Sequence, residues 1–170
     1  MVTLIGMGSG TPELLTAQGL AALQSADLII GAKRLLEHLP TGCTENRKAL
    51  YKPENILSCL SEFPAANAAL LYSGDTGFYS GASKLLPMLR AFGISARVLP
   101  GISSVQLLSA AIGRPWQDWK LVSAHGCACS RVPDRRRPPG VLLDRWHRNA
   151  RHPLRQTGRC RPWGRPWDHR

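Results

Sequence analysis

Short apolar runs alternate with glycine-rich turns along the first 126 residues. An apolar run that leads into a glycine turn predicts a buried strand, whereas apolar residues at helical spacing predict a helix. Predicted strands lie at 2–5, 27–31, 68–72, 96–99 and 121–123, and predicted helices around 20–23 and at 33–39, 53–63, 84–92 and up to 112. Because strands and helices alternate in order, the pattern predicts an α/β fold with a mainly parallel sheet.

Glycine-rich turns directly follow three of the predicted strands, at 6–10, 73–81 and 100–104. Each is explained equally well as a plain tight turn or as a place where the backbone approaches a ligand, since glycine has no Cβ. In open parallel sheets, ligands bind beyond the carboxyl ends of the strands. If the three strands are neighbours, the turns line one rim of the sheet.

Two nucleotide-binding motifs fit poorly. A G-x-G-x-x-G pattern starting at Gly6 requires glycine at the position of Thr11. The same motif also places an acid near the end of the second strand, where Gly31 and Lys33 stand instead. No G-x-x-x-x-G-K-[ST] sequence occurs. The turns therefore predict neither a dinucleotide fold nor a P-loop.

Composition changes abruptly after residue 126. Residues 127–170 hold twelve Arg, no Lys, three Asp and six Pro, whereas residues 1–126 hold ten Lys and Arg against eight Asp and Glu. The formal net charge of +11 therefore resides mainly in the tail. Few large apolar groups are present there to offset the conformational entropy of ordering, so we expect the tail to be disordered.

Two explanations of the Arg-rich tail stay open. It is either a basic, Trp-containing arm selected for nucleic acid or an accidental reading frame through GC-rich DNA. Arg without Lys favours the accidental frame. We therefore expect that correcting one or two nucleotides between codons 126 and 135 opens a frame of at least 70 codons with glycine turns and apolar strands. Sequencing this region tests the expectation, which fails if both other frames stop early.

The sequence shows no pattern typical of a signal peptide, a membrane span or a cysteine-based metal site. The N-terminus resembles a first strand and not a signal peptide, and no apolar run reaches the roughly 20 residues that span a bilayer. The five cysteines form no CxxC pair. We interpret them as reduced thiols of a cytoplasmic protein, with no metal site and no membrane partner.

The glycine motifs together carry a family resemblance. GMGSGTPELLT at 6–16, SGDTGFY at 73–79 and PGISS at 100–104 resemble the tetrapyrrole methyltransferases. GAKRLL at 31–36 and VSAHG at 122–126 are most similar to the members that methylate carbon 5 of a precorrin in cobalamin biosynthesis. The resemblance covers about residues 1–126, and Ser9 and Thr76 stand where proline is commoner in that family.

The resemblance implies a fold of two α/β domains with S-adenosylmethionine in the cleft between them. On this basis the N-terminal domain spans 1–112, the second begins within 113–126, and its remainder is truncated and replaced by the tail at 127–170. The resemblance also implies a corrinoid tetrapyrrole substrate and, for the intact family, a homodimer. The implied cofactor contacts are Ser9, Gly74, Asp75, Thr76, Ser103 and Ser104, and the implied substrate side comprises Gly6, Gly8 and Gly10.

The implied reaction is methyl transfer from a sulfonium to an electron-rich ring carbon, impaired here by truncation. Such chemistry rests on orientation of the reactants, and only Asp75 is a candidate for a proton-transfer role. Lys33 and Arg34 are placed to attract substrate carboxylates. The alternatives are a basic-tailed nucleic-acid-binding protein, and a methyltransferase of the same superfamily acting on ribosomal RNA or on a modified histidine of the diphthine type. Steep salt dependence of nucleic-acid binding would favour the former.

Overall fold

A computed structural model describes residues 1–64, 66–117, 119–123 and 140–143. The chain divides into two units, Met1–Trp116 and Gln117–Arg170. The first unit contains the strands Val2–Gly6 (β1), Leu28–Gly31 (β2), Arg47–Ala49 (β3), Ala68–Tyr72 (β4) and Ala96–Leu99 (β5). Its helices are Ala17–Gln24 (α1), Lys33–Leu36 (α2), Pro53–Glu62 (α3), Ala82–Ala91 (α4) and Ser104–Ile112 (α5), with a 3₁₀ turn at Pro12–Leu14.

All five strands of the first unit form one parallel sheet in the order β3-β2-β4-β1-β5. The predicted α/β fold with a mainly parallel sheet is therefore confirmed. β1 lies between β4 and β5, and Leu4 stands opposite Leu70 on one side and Val98 on the other. Because crossover helices cover both faces of such a sheet, its inner strands are continuous apolar runs.

Alternate residues of the inner strands supply two apolar layers. Leu4, Ile30 and Leu70 pack on one face with residues of α3 and α4. Ile5, Ile29 and Leu71 pack on the other face with residues of α1 and α2. The two-residue period of a strand thus distributes one apolar run between two cores. These layers hold the carboxyl ends of β1, β4 and β5 at a common edge.

Strand β3 was not predicted from the sequence. Its residues, Arg47, Lys48 and Ala49, carry no apolar pattern, and β3 pairs only with β2 at the edge of the sheet. Charged residues are typical of edge strands, where they discourage pairing with a second chain. The α2 helix ends at Leu36, three residues before the predicted end.

The described part of the second unit contains two short strands. Lys120–Ser123 (β6) pairs in parallel with Gly140–Leu143 (β7). β7 is a local difference from the expectation of a tail without regular structure, and the run Val141–Leu143 supplies its apolar character. The rest of the tail prediction, 127–139 and 144–170, lies outside the described residues. Among the described residues, no helix is long and apolar enough to cross a membrane.

Candidate functional site

The three glycine turns meet at one rim of the sheet. They follow β1, β4 and β5, which are neighbours in the sheet. The sequence predicted a common rim for the turns if these strands were neighbours, and they are. The backbones of Gly8 and Gly74 pair directly: the Gly8 amide donates to the Gly74 carbonyl at 3.1 Å, and the Gly74 amide donates to the Gly8 carbonyl at 2.7 Å. This bridge extends the contact between β1 and β4 beyond their last paired residues.

Gly6 and Gly101 bring the β1 and β5 turns into backbone contact. A Cβ built on Gly101 would lie 2.3 Å from the Gly74 oxygen and 2.5 Å from the Gly6 carbonyl carbon. A Cβ built on Gly6 would lie 2.5 Å from the Gly101 nitrogen. No side chain fits at such distances, so both positions require glycine for packing. Gly101 was not among the predicted site residues, although its place directly after a strand was a signal for it.

Asp75 joins the second and third turns. One carboxylate oxygen, Oδ1, accepts the Gly77 amide at 2.8 Å, and the other, Oδ2, accepts the Gly101 amide at 3.1 Å. The first bond shapes the turn after β4, and the second crosses to the turn after β5. The carboxylate therefore links two turns and caps no helix, and its contact with a ligand stays a prediction.

Two predicted cofactor contacts have side chains that are used inside the fold. The buried Thr76 hydroxyl donates to the Leu99 carbonyl at 3.1 Å. Buried Ser103 caps α5: its hydroxyl accepts the Gln106 amide, and the Gln106 side chain accepts the Ser103 amide. These contacts tie the turns to β5 and α5. Thr76 and Ser103 are thus placed at the rim with their hydroxyls already bonded.

The remaining predicted residues present polar or open surface. Ser9 and Ser104 are exposed, and the Ser9 and Thr11 hydroxyls lie 3.0 Å apart. Gly74 has φ +68°, and a Cβ built there meets nothing within 4 Å. Open space therefore lies beside the backbone at the centre of the rim. Gly10, with φ +96°, faces the Leu35 side chain of α2.

Arg34 reaches across the rim from α2. Its guanidinium donates to the hydroxyl of Ser73, the residue between β4 and Gly74. Both Lys33 and Arg34 are exposed. The sequence placed Arg34 near the turns by position alone, and it contained no signal for the Ser73 partner.

Tyr72, the last residue of β4, contacts both the first and the second glycine turns. Its carbonyl accepts the Met7 amide at 2.7 Å, and its ring lies 3.3 Å from a Cβ built on Gly81. Burial raises the pKa of the Tyr72 phenol to about 12. Because the phenol ionises at lower pH in the unfolded chain than in the folded one, high pH favours unfolding. The free energy of unfolding therefore keeps its full Tyr72 contribution below pH 10 and loses it as the pH rises from about 10 to about 12.

We expect the Tyr72→Phe variant to resist alkaline destabilisation better than the unsubstituted chain. Between pH 9 and pH 11 the unsubstituted chain should lose about 1.4 kcal/mol of unfolding free energy through Tyr72, a loss that the variant avoids. Urea titrations at both pH values measure the difference. Tyr51→Phe is the control, because Tyr51 is 76% exposed. Equal alkaline losses in Tyr72→Phe and the unsubstituted chain would contradict the assignment.

The first unit is thus an α/β sheet of the class that binds ligands beyond the carboxyl ends of its strands, with three interlocked glycine turns at that rim. A family model described as Tetrapyrrole (Corrin/Porphyrin) Methylases matches residues 1–158. The chain belongs to this family, as the resemblance in its glycine motifs predicted. The match extends past residue 126, and the domain boundaries at 112 and 126 stay predictions.

Individual relatives agree with the family. A probable cobalt-precorrin-7 C(5)-methyltransferase from Methanocaldococcus jannaschii is 31% identical over 136 residues, covering 74% of this chain and 61% of that protein. The cobalt-precorrin-7 C(5)-methyltransferase of Salmonella typhimurium is 35% identical over 127 residues, covering 74% and 62%. A cobalt-precorrin-4 C(11)-methyltransferase from M. jannaschii is 28% identical, covering 65% and 46%. The chain thus spans less than two thirds of these relatives.

A solved structure shares the fold. The crystal structure of the methyltransferase CobJ superposes with a TM-score of 0.62 and 26% identity, covering 74% of this chain and 56% of that chain.

Proposed function

We propose that this chain supplies the S-adenosylmethionine-binding wall of a methyltransferase that acts on carbon 5 of a precorrin or cobalt-precorrin. The proposal rests on the backbone contacts that join Gly8, Gly74 and Gly101. The Asp75 carboxylate adds to them by accepting the Gly101 amide. Carbon 5 is proposed because two relatives carry that position in their names, while a third names carbon 11. The names of these relatives therefore agree on methyl transfer to the ring and differ in the carbon that receives it.

Three features of the rim support the cofactor part of the proposal. Open space beside Gly74 leaves its backbone approachable, and Ser9 in the first turn and Ser104 in the third carry exposed hydroxyls. The α5 helix begins at Ser104, directly after the third turn, so the positive end of its dipole lies at this rim. An anionic group of the cofactor, its carboxylate, is favoured at such an end.

The chain's own residues act in this proposal by holding their partners in place. When bound, S-adenosylmethionine supplies the methyl group. The glycine turns fix the backbone around it, and Asp75 keeps the second and third turns together. Correct orientation can contribute about 7–11 kcal/mol to a transfer between two reactive partners. Asp75 is retained as the one candidate for assistance in proton loss.

Calorimetric titration of the chain with S-adenosylmethionine tests the cofactor part of the proposal. Saturable binding at one site supports it, and an absence of binding at millimolar cofactor counts against it. Transfer of a labelled methyl group to corrinoid intermediates tests the reaction. Localisation of the label in the product by NMR separates carbon 5 from carbon 11. A titration with single-stranded DNA at two salt concentrations tests the nucleic-acid alternative, which the family membership does not favour.

Two further expectations accompany the proposal. The homodimer of the intact family is tested by sedimentation of the chain at several concentrations. The cytoplasmic location is tested by fractionation of the source cells. Both stay predictions.

A further inference from the structure

We propose that Arg34, held by Ser73, binds a carboxylate side chain of the tetrapyrrole and so selects substrates with free carboxylates at this position. The inference rests on the proposed function and assigns the substrate-recognition group of that same site. It concerns one exposed guanidinium that donates to the Ser73 hydroxyl beside the second glycine turn.

The fold fixes where Arg34 stands. Leu35, the next residue in α2, is 2% exposed and lies 3.5 Å from the Cβ position of Gly10, so the helix is seated on the first glycine turn. The guanidinium then reaches the Ser73 hydroxyl beside the second turn. Arg34 therefore lies in a helix that packs on the turn after β1, and its guanidinium bonds to the residue that precedes Gly74 in the turn after β4.

Among the described residues, no carboxylate forms an ion pair with Arg34. Within the described part of the chain the ion pair between Arg47 and Glu45 accounts for all contacts of 4.0 Å or less between acidic and basic side chains. The nearby Asp75 carboxylate accepts two backbone amides instead. The Ser73 hydroxyl occupies one edge of the guanidinium, and the fork has further N–H donors that match a carboxylate in geometry. Corrins and porphyrin precursors carry several such carboxylates.

Binding of two corrinoids to the full 170-residue chain tests the proposal. Cobyrinic acid has free carboxylate side chains, whereas in cobinamide the corresponding groups are amides. We expect the unsubstituted chain to bind cobyrinic acid more tightly. We expect Arg34→Gln to weaken that binding by about tenfold to a hundredfold and to leave cobinamide unchanged. The affinity of Arg34→Lys for cobyrinic acid should lie between those of the unsubstituted chain and Arg34→Gln, because lysine keeps the positive charge and lacks the two-pronged guanidinium.

The matched control is Arg90→Gln, which makes the same change in net charge in the last turn of α4. Equal losses in Arg34→Gln and Arg90→Gln would overturn the proposal in favour of general attraction to a basic chain. No preference of the unsubstituted chain for cobyrinic acid would overturn it as well. Circular dichroism of both variants checks that the fold is kept. Carboxylate-dependent binding without methyl transfer would count against the proposed reaction and leave the role of Arg34 standing.

Discussion

Gly101→Ala is expected to be the most destabilising single-methyl substitution in the first unit, at more than about 3 kcal/mol. The added Cβ would lie 2.3 Å from the carbonyl oxygen of Gly74 and 2.5 Å from the carbonyl carbon of Gly6. Overpacking against side chains costs about 1–3 kcal/mol, and here the neighbours are backbone atoms of β1 and of the turn after β4, which cannot rotate away. Urea unfolding followed by circular dichroism measures the loss.

A matched substitution separates crowding from backbone conformation. Gly113→Ala adds the same methyl group where nothing lies within 4 Å, at φ +64°. Its cost should be about 1 kcal/mol, the ordinary penalty for alanine in a left-handed position. Gly101 has no positive φ, so its larger cost would come from contact alone. Similar losses in the two variants would show that the three turns are less tightly interlocked than the structure describes.

Asp75→Ala is expected to abolish most S-adenosylmethionine binding while the sheet stays folded. The substitution leaves the Gly77 and Gly101 amides without their acceptor and releases the link between the second and third turns. Hydrogen bonds to a charged group contribute about 1.5–3 kcal/mol each, so the loss of two disfavours the joined arrangement of the turns by at least about 3 kcal/mol. If only the joined arrangement binds the cofactor, the apparent affinity should fall by about a hundredfold. Calorimetric titration of the variant and of the unsubstituted chain gives the ratio.

Asp27→Ala provides the control for Asp75→Ala. The Asp27 carboxylate also accepts a backbone amide, that of Asn67 at 2.8 Å, but at the amino end of β2. Loss of stability without loss of cofactor affinity is expected there. An unchanged dissociation constant in Asp75→Ala would reduce that residue to a structural role. Equal weakening in both variants would point to general destabilisation.

The fold of the first unit could be predicted because its strands are apolar runs that end at glycine. Strand β4 has the predicted bounds, Ala68 to Tyr72, and so does β5 from Ala96 to Leu99. Strand β3 could not be predicted, because Arg47 and Lys48 form a strand only through pairing with β2, a tertiary contact that leaves no local pattern.

The candidate site could be predicted as a set of turns but not as a set of contacts. Glycines after three strands indicated a common rim, and the sheet order confirms it. The second hydrogen bond of Asp75, to Gly101, joins residues 26 positions apart. Arg34 and Ser73 are 39 positions apart. Such pairs follow from strand order and register, which apolar periodicity alone does not determine. The cofactor and substrate roles of these residues stay predictions.

The interlocking of Gly6, Gly74 and Gly101 has a consequence for the synthesis of the chain. Gly6 leaves the ribosome early, yet its partner Gly101, which follows β5, is added only after four further strands have been made. A parallel sheet of this kind forms through non-local pairing, which is slow relative to local helix formation. The rim therefore cannot exist in a nascent chain shorter than about residue 101. Any ligand that binds it would report completed assembly of the sheet and would stabilise only that state.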